Sequence, residues 1–540
     1  MSLLSVPMDI PFCYTACISL AVLSYCCYHF SSSASERLPL PPGPKKLPIF
    51  GNIFDLALDS PWKSYANWSK QYASDIIHLD LAGTSVIILS SVQAIEDLLE
   101  KRSSIYSDRA DFPMIVDLMG WGFNIGFVSL SISPSRDPPE LICLFTLALM
   151  KYGERWRTSR RLFNQAFNVT ASHQFWPQEL MAARMLLQRL LESPDDFFSH
   201  IRQMAAEIIM SATYGIEVQP QNDPYVATAE QALHTLAVAA VPGRYLVDVF
   251  PILKYVPSWF PGAGFRRSAE IWKQLALATV ETPFAETKRR MLGTETSSFV
   301  ADGLRSLNGS TPSDIHFTEQ NLKETAGTMF AAGSDTTVSA VATFFLAMLS
   351  NPQAQRKAQS EIDALTGGKY LPTFQDQDSL PYVAAVVKEI LRWENVTPIA
   401  LPHHLIHDDE YRGYRLPKGS LVIGNSWAIL HDEEMYPDPF SFKPERFLLN
   451  DSTKSSAKSP DIAFGYGRRR CPGRHMAASS VFITVASILA TFDIEKATDA
   501  DGTVIEPRHE YVSGLVSMPL PFRCKITPRS EAAVKLIREG

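Results

Sequence analysis

Apolar positions recur three and four residues apart along most of the chain after residue 150. That spacing predicts long helices near 152–168, 178–192, 198–214, 225–240, 266–292, 319–350 and 352–365. Ahead of them, DIIHLDLAGTSVIILSS from Asp75 alternates polar and apolar residues and breaks at Gly83, which predicts a β-hairpin. Ser60-Pro61 predicts a helix start, with Ser as cap and Pro in the first turn. Strand-like pieces return near 411–424 and at the C-terminus. The expectation is a mainly α fold with a small β portion. No internal repeat and no low-complexity linker follows residue 45, so one large domain, 53–540, is expected.

Two stretches break the helical pattern. Ile10 to Tyr28 holds nineteen residues without a charge, enough to cross a bilayer as an N-terminal transmembrane helix. Asp9 precedes it and Arg37, Lys45 and Lys46 follow, so the positive-inside rule puts the C-terminal bulk in the cytosol. No Lys or Arg stands before the apolar run, which argues against a cleaved signal peptide. Residues 1–30 are therefore expected to be a membrane anchor, and 31–52, with LPLPPGPKKLPIFGN, a stiff Pro-rich hinge. The second stretch, VPGRYLVDVFPILKYVPSWFPGAGF from Val241 to Phe265, is apolar, aromatic and broken by Pro and Gly. It suits a lid over an apolar pocket, a patch that dips into lipid, or a plain buried loop.

Charge narrows the choice little. The net charge is -7 and the basic residues are dispersed among a larger number of acids, so no nucleic-acid partner is expected. Of the seven cysteines, four (Cys13, Cys17, Cys26 and Cys27) lie inside the first thirty residues. Cys143, Cys471 and Cys524 have no zinc-site spacing, so a reducing compartment without a disulfide framework is expected.

The chemistry concentrates in FGYGRRRCPGRHMA, Phe464 to Ala477. A lone cysteine is usually a small buried hydrophobe, and a basic run is usually a solvated surface. Here Gly467 and Gly473 permit turns that aim N–H groups at the sulfur. A helix beginning near Arg474 would turn its positive end to it. Arg468, Arg469, Arg470 and Arg474 flank it. A thiolate held this way suits a nucleophile or a metal ligand, and a nucleophile needs a base that the local sequence does not offer. AAGSDTT, Ala331 to Thr337, interrupts a long apolar helix. Gly333 costs a helix about 1 kcal/mol relative to Ala. The cluster predicts a locally opened ladder able to hold water and relay protons. Glu389 and Arg392 form an i,i+3 pair, Arg446 in PDPFSFKPERF offers a third member of a buried ionic cluster, and Trp156 with Arg160 makes a donor face for a carboxylate.

Taken together, Phe464, Gly467, Arg469, Cys471 and Gly473 satisfy F-x-x-G-x-R-x-C-x-G, behind A-G-x-D-T-T, E-x-x-R and P-E-R-F in order. From about Pro39 to the C-terminus the chain resembles the cytochrome P450 family. Within that family, YGERWRTSRRLFNQAFN, DDEYRGYRLPKGSLVIGNSWAILHDEEMYPDPFSFKPERFL and GLVSMPLPFRC are similar to the fungal secondary-metabolism branch of O-methylsterigmatocystin oxidoreductase-like enzymes. The resemblance implies the triangular haem-thiolate α+β fold and a monooxygenase that uses O2 on an apolar small molecule, a fungal polyketide or terpenoid. It implies haem b with Cys471 as the axial thiolate and metal ligand, with Phe464 packed against the ligand loop. It further implies a proton relay at Asp335 and Thr336, with Ala332 and Gly333 making room. Trp156, Arg160, His403 and Arg469 would hold the haem propionates, and Glu389, Arg392 and Arg446 would form a structural ion cluster. Electrons would come from NADPH through cytochrome P450 reductase on a basic proximal face. The enzyme would be a single-pass protein of the endoplasmic reticulum membrane. Substrate would meet segments near 110–150, 205–245, 325–337, 395–402 and 511–516, including Phe330, Val396, Ile399, Leu401, Val512 and Leu515. Two alternatives remain: a haem-thiolate isomerase or dehydratase, which the intact Asp335-Thr336 pair disfavours, and an inert haem protein.

One segment departs from the family text. Between GWGFNI and LMKYGERWR stands GFVSLSISPSRDPPELICLFTL, and joining Ile125 to Ala148 restores the usual wording. The intervening 126–147 has a length divisible by three in nucleotides and reads as a translated intron. A genuine insertion at the substrate mouth is the alternative.

Overall fold

The computed structural model describes residues 38–57, 59–121, 149–220, 222–240, 244–293, 297–309, 317–448 and 459–540. The expected anchor, residues 31–37 of the hinge and the 126–147 segment lie outside the described residues. Twelve helices of nine residues or more carry the described fold: α1 (Pro61–Gln71), α2 (Glu154–Phe167), α3 (Trp176–Glu192), α4 (Phe197–Tyr214), α5 (Pro224–Ala239), α6 (Gly264–Arg290), α7 (Phe299–Gly309), α8 (Glu319–Ser350), α9 (Pro352–Thr366), α10 (Pro381–Trp393), α11 (Arg474–Thr491) and α12 (Glu531–Glu539). All seven helices expected from periodicity are present. The hairpin is β1 (Ile76–Leu81) and β2 (Thr84–Leu89), turning at Gly83 with φ +91°. Ser60 precedes α1 as expected, but in a left-handed conformation with no side-chain cap, so Pro61 alone marks the start.

The remaining strands are short: β3 (His403–His404), β4 (Asp409–Tyr411), β5 (Tyr414–Leu416), β6 (Leu421–Gly424), β7 (Phe492–Lys496), β8 (Tyr511–Val512), β9 (Met518–Pro519) and β10 (Cys524–Pro528). One four-stranded sheet runs β1-β2-β6-β3; β2 and β6 are parallel and the other neighbours antiparallel. This sheet buries Ile76, Ile87, Leu89 and Val422 on one side and Ile77, Leu79, Val86 and Ile88 on the other. The alternation follows from the two-residue period of a strand.

The helical core is built around α8, which packs against α4, α11, α2, α6 and α10. Its N-terminus carries a full capping box from Thr318 and Asn321. Both α8 and α11 are long and apolar enough to span a membrane, yet each is mostly buried among its neighbours. Buried apolar side chains from α2 to α4 and α8 to α11 form the largest cluster. Glu179 of α3 sits within it with no exposed surface, and neither of its oxygens completes a hydrogen bond. Burial pushes it up to about 8, and the facing hydroxyls of Ser479 and Ser480 on α11 offset this only in part.

The stretch from Val241 to Phe265 is not a buried loop. Its described residues include Ile252, Tyr255 and Trp259, which are 70–78% exposed, with Leu246, Phe250 and Phe260 beside them. Two polar ties hold its inner side to the turn Pro113–Leu118. Asp248 accepts from Met114 N–H at 2.9 Å, and Lys254 pairs with Asp117 at 2.8 Å.

Candidate haem-thiolate site

The cysteine loop is closed by a short hydrogen bond from Cys471 N to Phe464 O, 2.7 Å, and Phe464 leans on the main core. Gly467 has φ +50°, and a Cβ there would lie 2.2 Å from Leu99 O, so only glycine fits. Gly473 lies in the expected turn but with an ordinary φ of −85°, so its backbone is not left-handed there. Its part is the N–H it turns to the Cys471 sulfur at the start of α11. Burial pushes the Cys471 thiol up, while that N–H and the charges of Arg160 and Arg474 pull it down. Cys471 is enclosed by protein yet keeps accessible surface, so that surface belongs to an interior space.

Sequence neighbours in the basic run part company in space. Arg468 donates to Tyr152 Oη, Arg470 pairs with Glu100 at 2.6 Å, and Arg474 donates back to Cys471 O. Arg469 alone turns inward, with its guanidinium 4.6 Å from the Trp156 ring centre, Nε on Ser107 O and Nη2 on Met150 O. Burial, and then the like charges of Arg109 and Arg160, pull Arg469 down to about 8. Arg160 and Arg109 are each pulled down to about 10 by burial. His403, on β3, is buried and held at Nδ1 by Tyr106 O at 2.7 Å. Burial and the charges of Arg109 and Arg469 hold it well below the usual imidazole range. Trp156, Arg160, His403 and Arg469 are thus brought together.

Arg109 belongs with them although the sequence reading passed it over. It is 3% exposed and donates to Leu401 O and Pro402 O. Only its place in SDRADF, next to an acid that ties down Tyr152 N, hinted at it. The donor chemistry of this cluster asks for anions. Cations crowded in a desolvated space repel one another, and two carboxylates among them would reverse each of those shifts.

Across from this cluster, α8 is buried from Glu324 to Ala331 and from Val338 to Leu349, but Ala332 is exposed and 333–337 are half-buried. A helix at the centre of the molecule thus keeps accessible surface along this stretch. The expected break in its ladder is absent: α8 is continuous α-helix throughout. The polar cluster is instead absorbed by back-bonding, Ser334 Oγ to Phe330 O at 2.7 Å and Thr336 Oγ1 to Ala332 O at 2.8 Å. At Gly333 a Cβ would meet Ile209 at 2.9 Å, so glycine here serves close packing with α4. Asp335 accepts from Arg202 of α4 at 3.1 Å; Glu230 of α5 lies 3.7 Å from the same nitrogen.

The three structural residues form one cluster. Arg392 makes a two-point bond with Glu389, 2.8 Å each, and both are fully buried. Arg446 Nε reaches Glu389 at 3.1 Å. Arg392 also donates to Leu430 O and Pro439 O. Among the expected substrate contacts, Phe330 turns instead to Tyr214, edge-on at 6.2 Å, and is buried there. Val512 is 47% exposed.

Comparison with known proteins matches this geometry. The family description "Cytochrome P450" covers residues 145–526. The chain is 43% identical over 525 residues to cytochrome P450 monooxygenase 98 of Postia placenta, covering 96% of each chain. It is 41% identical over 522 residues to tryptamine 4-monooxygenase of Psilocybe cyanescens, covering 96% of this chain and 98% of that one. It is also 41% identical over 525 residues to cytochrome P450 monooxygenase COX2 of Coprinopsis cinerea, covering 97% and 94%. A thiol facing an interior space, a cationic cluster suited to two carboxylates and a polar window in the central helix thus sit in a sequence of this kinship: the chain belongs to the cytochrome P450 family, the haem-thiolate monooxygenases that take their electrons from a reductase.

Proposed function

We propose that Cys471 ligates haem iron in a membrane-bound monooxygenase acting on an apolar metabolite. The observation that carries this reading is the accessible surface left at Cys471 and along 332–337 of α8 within an otherwise close-packed core. Haem bound there supplies the activation of dioxygen. The chain's own residues do the rest. The Gly473 N–H and Arg160 lower the cost of a buried thiolate. Arg109, Arg160, Arg469 and the Trp156 indole are the groups that would hold the haem propionates. His403 would stand beside them, its Nδ1–H held by the Tyr106 carbonyl. Asp335 and Thr336 hold and pass protons at the window, with Arg202 fixing the resting position of the Asp335 carboxylate. The Glu389–Arg392–Arg446 cluster fixes α10 to the 437–446 segment. The apolar residues near 395–402 and 511–516 favour a hydrophobic substrate.

The exposed Ile252, Tyr255 and Trp259, with Leu47, Ile49 and Phe54 exposed shortly after the expected anchor, suit lipid contact beside an anchor in residues 1–30. With residues 31–52 as the hinge and 53–540 as the catalytic domain, this gives a cytosol-facing protein of the endoplasmic reticulum. Segment 126–147 is read as translated intron; the family match begins at 145, at its far edge. Sequencing the mature transcript across codons 120–156 tests that, and a polysomal message that keeps the segment overturns it.

The experiment for the main reading is the reduced, carbon-monoxide-bound difference spectrum of the full chain in microsomes, beside Cys471→Ala. A strongly red-shifted Soret band in the parent that is lost in the variant is expected. A band of that type surviving in Cys471→Ala refutes the ligand assignment. In the same microsomes, carbonate-resistant association with digestion of a C-terminal tag by external protease is expected; a protected tag refutes the topology.

A further inference from the structure

We propose that Glu100 is a positioning residue for the cysteine loop, a clamp applied from outside the haem pocket; this rests on the reading of Cys471 as the ligand. The clamp stands on the turn Glu96–Lys101, which is π-helical. Such turns are rare and wide, and each carries one more residue than an α-turn. Here the extra width presses Leu99 O against Gly467, where a Cβ would sit 2.2 Å away, and delivers the Glu100 carboxylate beside the loop. Glu100 Oε1 accepts from Gly467 N–H at 3.3 Å and from Arg470 Nη2 at 2.6 Å. A single carboxylate oxygen therefore ties both ends of the turn 467–470, and Cys471 is the next residue.

Besides Arg468 on Tyr152 and Arg474 on Cys471 O, three fasteners bear on the loop's course into Cys471. Cys471 N closes it on Phe464 O, Arg469 pins it inward on Ser107 O and Met150 O, and Glu100 pins it outward. The outward fastener alone carries a negative charge, and its bonds are charge-assisted, stronger than neutral ones. Both partners are about one-third exposed, so the Coulombic part is screened and the contribution is chiefly geometric: it fixes where the backbone enters Cys471. Without it the loop retains its inner pins but can rotate about Gly465 and Gly467, both at positive φ, and the sulfur loses its fixed approach.

The test uses the full-length holoprotein in microsomes with Glu100→Ala, Glu100→Gln, Arg470→Ala and the double variant Glu100→Ala/Arg470→Ala. Lys101→Ala, on the same turn but away from the loop, is the control. The readout is the rate at which the carbon-monoxide adduct passes from the thiolate-type to the neutral-thiol-type Soret band in dilute urea, normalised to haem content. Glu100→Ala is expected to convert about 10-fold faster than the parent. Glu100→Gln, which keeps an acceptor without the charge, is expected at about 3-fold. Arg470→Ala, which leaves the Gly467 N–H bond in place, should convert faster than the parent but slower than Glu100→Ala, and the double variant should match Glu100→Ala. Rates equal to Lys101→Ala for both Glu100 variants overturn the proposal, as do independent, additive effects of Glu100→Ala and Arg470→Ala. If Glu100→Ala does not accumulate with haem, Glu100→Gln against the parent decides the matter alone. A thiolate-type band persisting in Cys471→Ala would instead sink the ligand reading itself, which keeps the two failures apart.

Discussion

Glu179→Gln changes one atom in the middle of the helical core, and its consequence depends on pH. The native carboxyl is fully buried among α3 and α11, its folded value is about 8 against an ordinary 4.5, and burial is the main cause. A raised carboxyl binds its proton more tightly in the folded than in the unfolded chain. Its contribution is therefore intact below about pH 4.5 and is lost as pH rises toward 8. Each pH unit in that window is worth ~1.36 kcal/mol, so about 3 kcal/mol disappears by pH 7. An unfolding entropy of ~2.1 cal/mol/K per residue makes ~1.1 kcal/mol/K for a chain of this length, so the expected change in Tm is about 3 °C. Glutamine is neutral at every pH and nearly the same shape. The variant should melt with the parent near pH 5 and about 3 °C above it near pH 7, by scanning calorimetry at matched scan rates. Parallel Tm curves for the two proteins across that range would refute the argument. They would mean that water or a cation reaches the ionised carboxylate.

Arg392→Lys keeps the charge but not the fork. It gives up at least one bond to Glu389 and a carbonyl contact in a fully buried setting, and the expected loss is about 3 kcal/mol, read as a lowered urea midpoint for haem release; a midpoint equal to the parent's would count against a shared cluster. Thr336→Ala removes the hydroxyl at the window without touching the core. NADPH consumption should persist while product per NADPH falls about 10-fold or more and hydrogen peroxide rises, and unchanged coupling would exclude Thr336 from proton delivery.

The helices and the hairpin were legible because their apolar positions keep a period, and periodicity depends on neighbours in sequence. The cysteine motif was legible for the same reason. Arg109, Glu100 and Glu179 were not, since each owes its role to a partner some three hundred residues away or more. The basic run is the most instructive part. As text, RRR reads as one patch, yet the turn from Gly467 to Arg469 sends Arg468, Arg469 and Arg470 to Tyr152, Trp156 and Glu100 respectively. The helix window illustrates the reverse case. Ser, Asp and Thr in a row correctly flagged a special place in α8, but the ladder stays intact because the side chains bond back to their own carbonyls.

Consecutive residues from Tyr106 to Arg109 are each tied to a residue of the site or its neighbours. The carbonyl of Tyr106 holds His403, that of Ser107 holds Arg469, that of Asp108 takes His404 N–H, and Arg109 grips the carbonyls of Leu401 and Pro402. Removing or adding one residue within this strap would move every one of these attachments by about 3.3 Å at once. Downstream of Arg109 the chain carries no such obligation until Met150 O meets Arg469 among the described residues. Chimeras that exchange the substrate mouth with a relative therefore have a natural seam immediately after Arg109, where selectivity can be rewritten while the cofactor cradle is inherited whole.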